Sequence, residues 1–352
     1  MTELRKQRPR QISFWRSETI VLLLTMCILA ALLIATPNYR DIAYIIKAVS
    51  RNVEFGLIAM SLTFIIIAGQ IDLSIASIMA LSSTVAALIF RNLGIPMEIC
   101  VAIGLLTGLL LGAFNGFLVA YVGIAPMIAT IGTLALYRGL AQIAIGDNSI
   151  GDFPKWFIGV DRAYQFTIAH IRIPMTIIGL LVVTLLAYVI LSFTTTGRKV
   201  FAIGTNERAM LYTGIDTRLF KFLLYAVNGL FCGVAGLLMS SRLLVVRYDM
   251  ALGGELDIIA IVMLGGTSIM GGKGGVIGTF LGLLIVIFLR SGLSVAGVKV
   301  DQQLFALGVI LLLAIAGPQM ASILKERRLD SIARRHFQES PRGRAGSSEE
   351  RG

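Results

Sequence analysis

Two histidines and three cysteines are nearly the whole stock of reactive side chains in this 352-residue chain, and they build no catalytic centre. His170 and His336 stand far apart, and Cys27, Cys100 and Cys232 sit in separate apolar runs. No His-Glu metal motif, paired-cysteine motif or nucleophile elbow occurs, so neither a metal site nor an enzyme is indicated. The nearest approach to a phosphate loop is "GTSIMGGKGG" at 266–275. A phosphate loop needs Gly five residues before Gly272, where Thr267 stands, and Ser or Thr after Lys273, where Gly274 stands. ATP and Mg²⁺ are therefore not expected on this chain. What remains is a set of polar residues inside apolar sequence: Asp72 in "GQIDLSIASI", Asn115 in "GAFNGF", Arg138 in "TLALYRGLAQ", Asn228 in "YAVNGLF", and Asp257. Each costs free energy in hydrocarbon unless it faces a partner or water, which makes these five the candidates for a solute pathway. Arg138 can instead snorkel to a surface or meet an intramembrane carboxylate. The two asparagines can instead tie helices together.

The elements that must hold these residues are membrane helices. The chain is 56% hydrophobic and 14% charged, with a mean hydropathy of +0.84, and apolar runs recur from Ile20 to Gly317. Tracts such as "TIIGLLVVTLLAYVIL" do not alternate, which sets a β-barrel aside. The fold class is all-α and polytopic, with spans expected near 20–35, 53–70, 71–90, 97–122, 126–146, 173–193, 219–241, 257–271, 275–290 and 302–320. This transmembrane domain, 20–320, lies between a basic segment, 1–19, and a polar tail, 321–352, read as partly disordered.

The net charge of +11 does not indicate nucleic acid, because five basic residues lie among the first 19 and eight follow Ala321. By the positive-inside rule both ends are then cytoplasmic, which agrees with an even number of spans. Arg40, Lys47 and Arg51 run against that rule, since they fall in an external loop.

Two tracts are too long for single helices. Val53 to Phe90 would span about 57 Å and Asp257 to Leu289 about 50 Å, against a membrane core of roughly 30 Å. Each must be broken. Gly69 supplies the first hinge, and Gly265, Gly266, Gly271 and Gly272 supply the second within "GGTSIMGGKGG". The first hinge places Asp72 at a turn near the cytoplasmic edge, where Asp72 and Ser74 can cap the next helix; a direct solute contact is the other reading. "GQIDL" at 69–73 and "GELDI" at 254–258 echo each other, which suggests a 5+5 inverted repeat. The segment 194–218, "TTTGRKVFAIGTNERAMLYTGIDTR", is long for a connector. Gly197 ends the preceding span, and a short helix within "NERAMLYTGI" stops at Gly214.

Four motifs, "AGQIDLSIASIMALS", "GAFNGFLVAYVGIAPMIATIGTLALYRGLA", "GRKVFAIGTNERAMLYTGI" and "GELDIIAIVMLGGTSIMGGKGGVIGTFLG", occur in order between about residues 45 and 318. Together they resemble the permease subunits of bacterial ATP-binding cassette importers for monosaccharides, including the ribose, xylose, arabinose, rhamnose and autoinducer-2 systems. The resemblance implies a multi-pass protein of the bacterial inner membrane. Its partners would be a cytoplasmic ATPase that carries the ATP and Mg²⁺, a periplasmic sugar-binding protein, a second permease subunit and membrane lipid. It also implies that the 194–218 loop docks on the ATPase through Gly197, Arg198, Gly204, Asn206, Ala209, Gly214 and Ile215. Arg208 and Met210 depart from the family pattern, where an acidic residue and Ala are common. Arg247 and Asp249, ahead of the "ELD" motif, are candidates either for contact with the binding protein or for a local ion pair. The alternative function is a proton-coupled secondary transporter working through Asp72 and Asp257.

Overall fold

The structure is a computed structural model that describes residues 12–160, 165–168, 171–299, 302–306, 308, 309 and 312. Among them run twelve helices: α1 Ile12–Ala35, α2 Ile42–Ser50, α3 Val53–Ile67, α4 Ile75–Leu93, α5 Met97–Phe117, α6 Pro126–Ile145, α7 Met175–Phe193, α8 Thr195–Thr205, α9 Glu207–Tyr212, α10 Thr217–Leu243, α11 Gly254–Leu264 and α12 Val276–Val295. A single hairpin, β1 Gln165–Ile168 with β2 Ile171–Pro174, interrupts the helices, with Gln165 opposite Pro174. The chain separates into two units at Gln303 and Leu304, and the first holds all of these elements.

Seven helices are long and apolar enough to cross a membrane: α1, α4, α5 with its π-turn to Val122, α6, α7, α10 and α12. An eighth span results if α2 and α3, bent by 58°, are taken as one. Among the described residues the expected ten are not established. The span expected at 257–271 is the 11-residue α11, about 16 Å long, followed by irregular chain from Gly265 to Gly275. The glycines there end the helix halfway across a membrane core. The span expected at 302–320 is described only at its start, and the segments 1–11 and 321–352 lie outside the described residues.

Helix α3 is the core of the bundle. Thirteen of its fifteen residues are buried, all but Phe55 and Phe64, as a helix apolar on every side must be. Around it stand α7, α10, α11 and α12, and α10 packs along α4 and α5. The α5–α10 contact is a meeting of backbones. Glycine recurs at every fourth position of α5, at 104, 108, 112 and 116, one face of a helix. A Cβ at Gly108 would stand 2.6 Å from the Gly229 carbonyl of α10, and one at Gly112 would stand 2.7 Å from Gly229 Cα. Small residues let two membrane helices approach this closely and gain dispersion contacts that lipid cannot supply.

The helices opened near Asp72 and Asp257 run in opposite directions, but the two sites differ. Asp72 follows a break and precedes α4, whereas Asp257 stands in the first turn of α11, ahead of the second break. The closer structural echo is between the two breaks, 68–74 after α3 and 265–275 after α11, and these two helices run parallel, with Phe55 beside Gly254 at one end and Ile67 beside Gly274 at the other.

Gly229→Leu should destabilise the bundle by roughly 3 kcal/mol or more, because a side chain there can only displace backbone. Gly179→Leu on α7, where nothing lies within 4 Å, should be neutral. Thermal unfolding in detergent measures both, and equal midpoints for the two variants would contradict the close α5–α10 contact.

Candidate functional site: two chain breaks and the helix that touches both

The 194–218 segment folds as two helices rather than one. Thr194 caps α8, accepting from the Gly197 N–H at 3.4 Å, and Asn206 caps α9, accepting from the Ala209 N–H at 3.0 Å. Gly197 therefore does not end the preceding span, which stops at Phe193. It lies in the first turn of α8, pressed against the carbonyls of Ile190 and Leu191. Gly214 follows α9 with φ +79°, a conformation that suits glycine, in open space. Arg198 and Ala209 are exposed, Ile215 is half-buried, and α9 presents Leu211 and Tyr212 outward, the latter 92% exposed.

The last turn of α8 meets both breaks. Gly204 lies against the Ile67 carbonyl at the end of α3, and the Gly272 N–H donates to that same carbonyl at 2.8 Å. A Cβ on Gly271 would stand 2.9 Å from both the Gly204 carbonyl and Gly69 Cα. Three segments distant in sequence thus touch through Gly69, Gly204, Gly271 and Gly272, with the Thr205 side chain beside Gly272. Gly69, Gly266, Gly271 and Gly272 have positive φ, whereas Gly265 is helical and is required instead by its contact with Gly278. Beside the first break, a cavity of about 520 Å³ is lined by Gln70, Gly123, Pro126, Glu207, Thr217 and Lys221. Glu207 and Lys221 pair across it at 2.6 Å, tying α9 to α10.

Asp72, Asn115 and Asn228 come together on the other side of the first break. Asp72 is fully enclosed, not set at an exposed edge, and Asn228 stands eleven residues, about 16 Å, into α10. Ser74 donates to Asp72 Oδ1 through its N–H at 2.9 Å and its hydroxyl at 2.6 Å, and Asn228 Nδ2 donates to Oδ2 at 3.0 Å. Asn115 Nδ2 donates to Ser74 Oγ at 2.7 Å and its Oδ1 accepts from Tyr137 at 3.0 Å. Ser61 donates to Asn228 Oδ1 at 2.6 Å, and Tyr225 donates to the Ile71 carbonyl at 3.1 Å. One network therefore joins α3, α4, α5, α6 and α10, with the Asp72 turn at its centre. Sequence reading missed Ser61, Tyr137 and Tyr225. Their hydroxyls inside apolar helices were the available signal, since a buried hydroxyl needs a partner.

The other two pathway candidates lie elsewhere. Arg138 Nη1 donates to the Tyr248 and Met250 carbonyls, at 2.5 and 2.8 Å, so it clamps α6 to the loop before α11. Asp257 accepts from Arg290 at 2.7 Å, and Glu54 accepts from Arg242 at the same distance, closing the end of the bundle away from α8. Arg247 and Asp249 pair with each other through two 2.8 Å hydrogen bonds, which hold the Asp249 carboxyl below its ordinary range.

Because the Asp72 network is fully enclosed, its members should couple. Asn228→Ala alone should cost roughly 2–3 kcal/mol, since it strands Asp72 Oδ2, while Ser61 keeps its bond to the Ile58 carbonyl. Adding Asp72→Ala should cost at least about 1 kcal/mol less than the sum of the two single changes. Additive losses in a double-mutant cycle of unfolding would show that the contact carries no stability.

The sequence pattern of the family described as "Branched-chain amino acid transport system / permease component" matches residues 44–315. The ribose import permease protein RbsC of Bacillus subtilis is 34% identical over 286 residues, 80% of this chain and 86% of the relative. RbsC of Escherichia coli K12 is 32% identical over 308 residues, covering 86% and 93%. The autoinducer 2 import system permease protein LsrD of Photorhabdus laumondii is 31% identical over 290 residues, covering 81% and 85%. No solved structure matches. With its helical spans, its broken helices and this agreement over most of its length, the chain belongs to this family of transport-system permeases and is a multi-pass membrane protein.

Proposed function

We propose that the chain is the transmembrane subunit of an ATP-driven importer that moves a monosaccharide, or a sugar derivative of the autoinducer-2 kind, from periplasm to cytoplasm. The relatives named above import ribose or autoinducer 2, which favours a polyhydroxylated solute over the amino acids of the family description. In this reading α8 and α9 face the cytoplasm with both chain termini, and α9 seats in a separate ATPase that carries the ATP and Mg²⁺. A periplasmic binding protein delivers the solute to the opposite end, where Arg247 and Asp249 are exposed, and a second permease subunit, identical or related, completes the pathway.

The observation that carries the proposal is the contact of Gly204 with Ile67, Gly271 and Gly69. A docking helix that touches both breaks can pass a displacement to two membrane helices at once. ATP then does its work by binding one conformation of the assembly more tightly than the other. A secondary transporter would need Asp72 and Asp257 to share a proton route, yet they belong to separate networks.

Uptake into liposomes that contain the chain, its ATPase and its binding protein should require ATP and survive an uncoupler. Uptake by the chain alone that an uncoupler abolishes would contradict the proposal. Gly204→Ala forces a Cβ into the Ile67 carbonyl and should leave ATP hydrolysis largely intact while lowering solute moved per ATP at least ~10-fold, the equivalent of about 1.4 kcal/mol of lost coupling. An unchanged ratio would exclude α8 as the transmitting element.

A further inference from the structure

Three basic side chains at the end of the bundle away from α8 have no part in the transport reading. Lys47 and Arg51 lie one turn apart on or just beyond α2, and Arg290 lies near the end of α12. All three line one cavity of about 260 Å³. Positions 44, 47, 48 and 51 and positions 287, 290, 291 and 294 each follow the spacing of one helical face, so α2 and α12 turn matching stripes toward the cleft. Tyr44 and Ser291 close its floor with a 3.1 Å hydrogen bond.

Among the described residues, the cleft carries a surplus of positive charge. Arg290 spends one guanidinium nitrogen on Asp257, while its Nε is buried without a partner. Among the described residues, no carboxylate forms an ion pair with Lys47 or Arg51. The carboxylates nearest them in sequence are engaged: Asp41 caps α2 by accepting the Ala43 N–H at 2.9 Å, and Glu54 accepts from Arg242. Two cations with no carboxylate partner among the described residues, facing a third across the cleft, repel one another unless an anion sits between them.

The setting identifies the anion. Helix α12 also packs on α1, whose Ile20, Leu23, Met26 and Ile34 point outward, and Ile42 at the start of α2 is 56% exposed. Tyr44, half-buried, lines the cleft, and its ring meets that of the buried Tyr39 edge to face at 5.3 Å. Basic heads flanking exposed aliphatic residues compose a membrane–water boundary. We propose that the cleft between α2 and α12 binds the phosphate of an anionic phospholipid headgroup. This also accounts for basic residues that run against the positive-inside rule at 47 and 51: they are held there by a ligand.

The test uses the purified full-length chain in detergent, with added phosphatidylglycerol or phosphatidylcholine, and reads thermal stability and the number of lipids retained in native mass spectrometry. Phosphatidylglycerol should stabilise the parent protein, and phosphatidylcholine should not. In the Lys47→Gln/Arg51→Gln double variant the half-saturating concentration should rise about 30-fold, which corresponds to roughly 1 kcal/mol for each basic side chain lost. The charge-conserving Lys47→Arg/Arg51→Lys variant should respond as the parent does, which separates loss of charge from misfolding. An identical phosphatidylglycerol response in the Gln variant overturns the proposal. So does stabilisation by inorganic phosphate or glycerol phosphate as strong as that by the lipid, which would mark a soluble-anion site. Weaker capture of a soluble binding protein by the Gln variant, with its lipid response unchanged, would assign the cleft to a protein interface instead.

Discussion

A single peptide carbonyl, that of Ile67, is where three segments distant in sequence meet. It ends α3, accepts from the Gly272 N–H of the second break, and lies under Gly204 of α8. Backbone can approach backbone this closely only where no side chain intervenes, which is why glycine occupies 204 and 271, while 69 and 272 need it for their positive φ. Contact through backbone is also stiff: a shift of α8 has no flexible side chain in which to dissipate. The two short helices α3 and α11 therefore both lead into breaks that end against α8, and their shortness follows from those breaks.

The opposite wall of the first break is held by different physics. Asp72, Ser74, Asn115, Asn228, Ser61, Tyr137 and Tyr225 satisfy one another's donors and acceptors in an enclosed space. Burying so many polar groups is tolerable only because each has a partner, and the directional bonds then fix how α4, α5, α6 and α10 stand around the turn. The glycine contacts of α5 with α10 reinforce the same group of helices. The break thus has one side tied by side-chain hydrogen bonds, which reach α3 through Ser61, and another where backbone meets backbone and the Gly272 N–H bonds the Ile67 carbonyl.

Much of this was legible in the sequence, for reasons that can be named. Helix rise against membrane thickness required the breaks in 53–90 and 257–289, and both occur at the expected glycines. Composition and the four motifs indicated a helical permease, which the family match and the relatives bear out. The count of ten spans is not established among the described residues, and at 254–275 hydropathy does not distinguish a full span from a short helix followed by irregular chain. The echo of "GQIDL" and "GELDI" misplaced the likeness, because a five-residue pattern records residue types and not which side of a break they occupy. Arg138 could not be placed from sequence, since its partners are carbonyls of a loop more than a hundred residues away. The period-four glycines of α5 were readable and mark the α5–α10 contact directly.

Hydrogen exchange on the assembled transporter tests the shared junction most directly. Amides 66–74 and 268–274 would be followed with the ATPase empty and with it held in its nucleotide-bound state. If α8 bears on both breaks through the Ile67 carbonyl, nucleotide changes protection in the two segments together, in the same direction and by similar factors. A change confined to 195–212, with both breaks exchanging as before, would mean that the docking helices move without carrying the membrane helices with them.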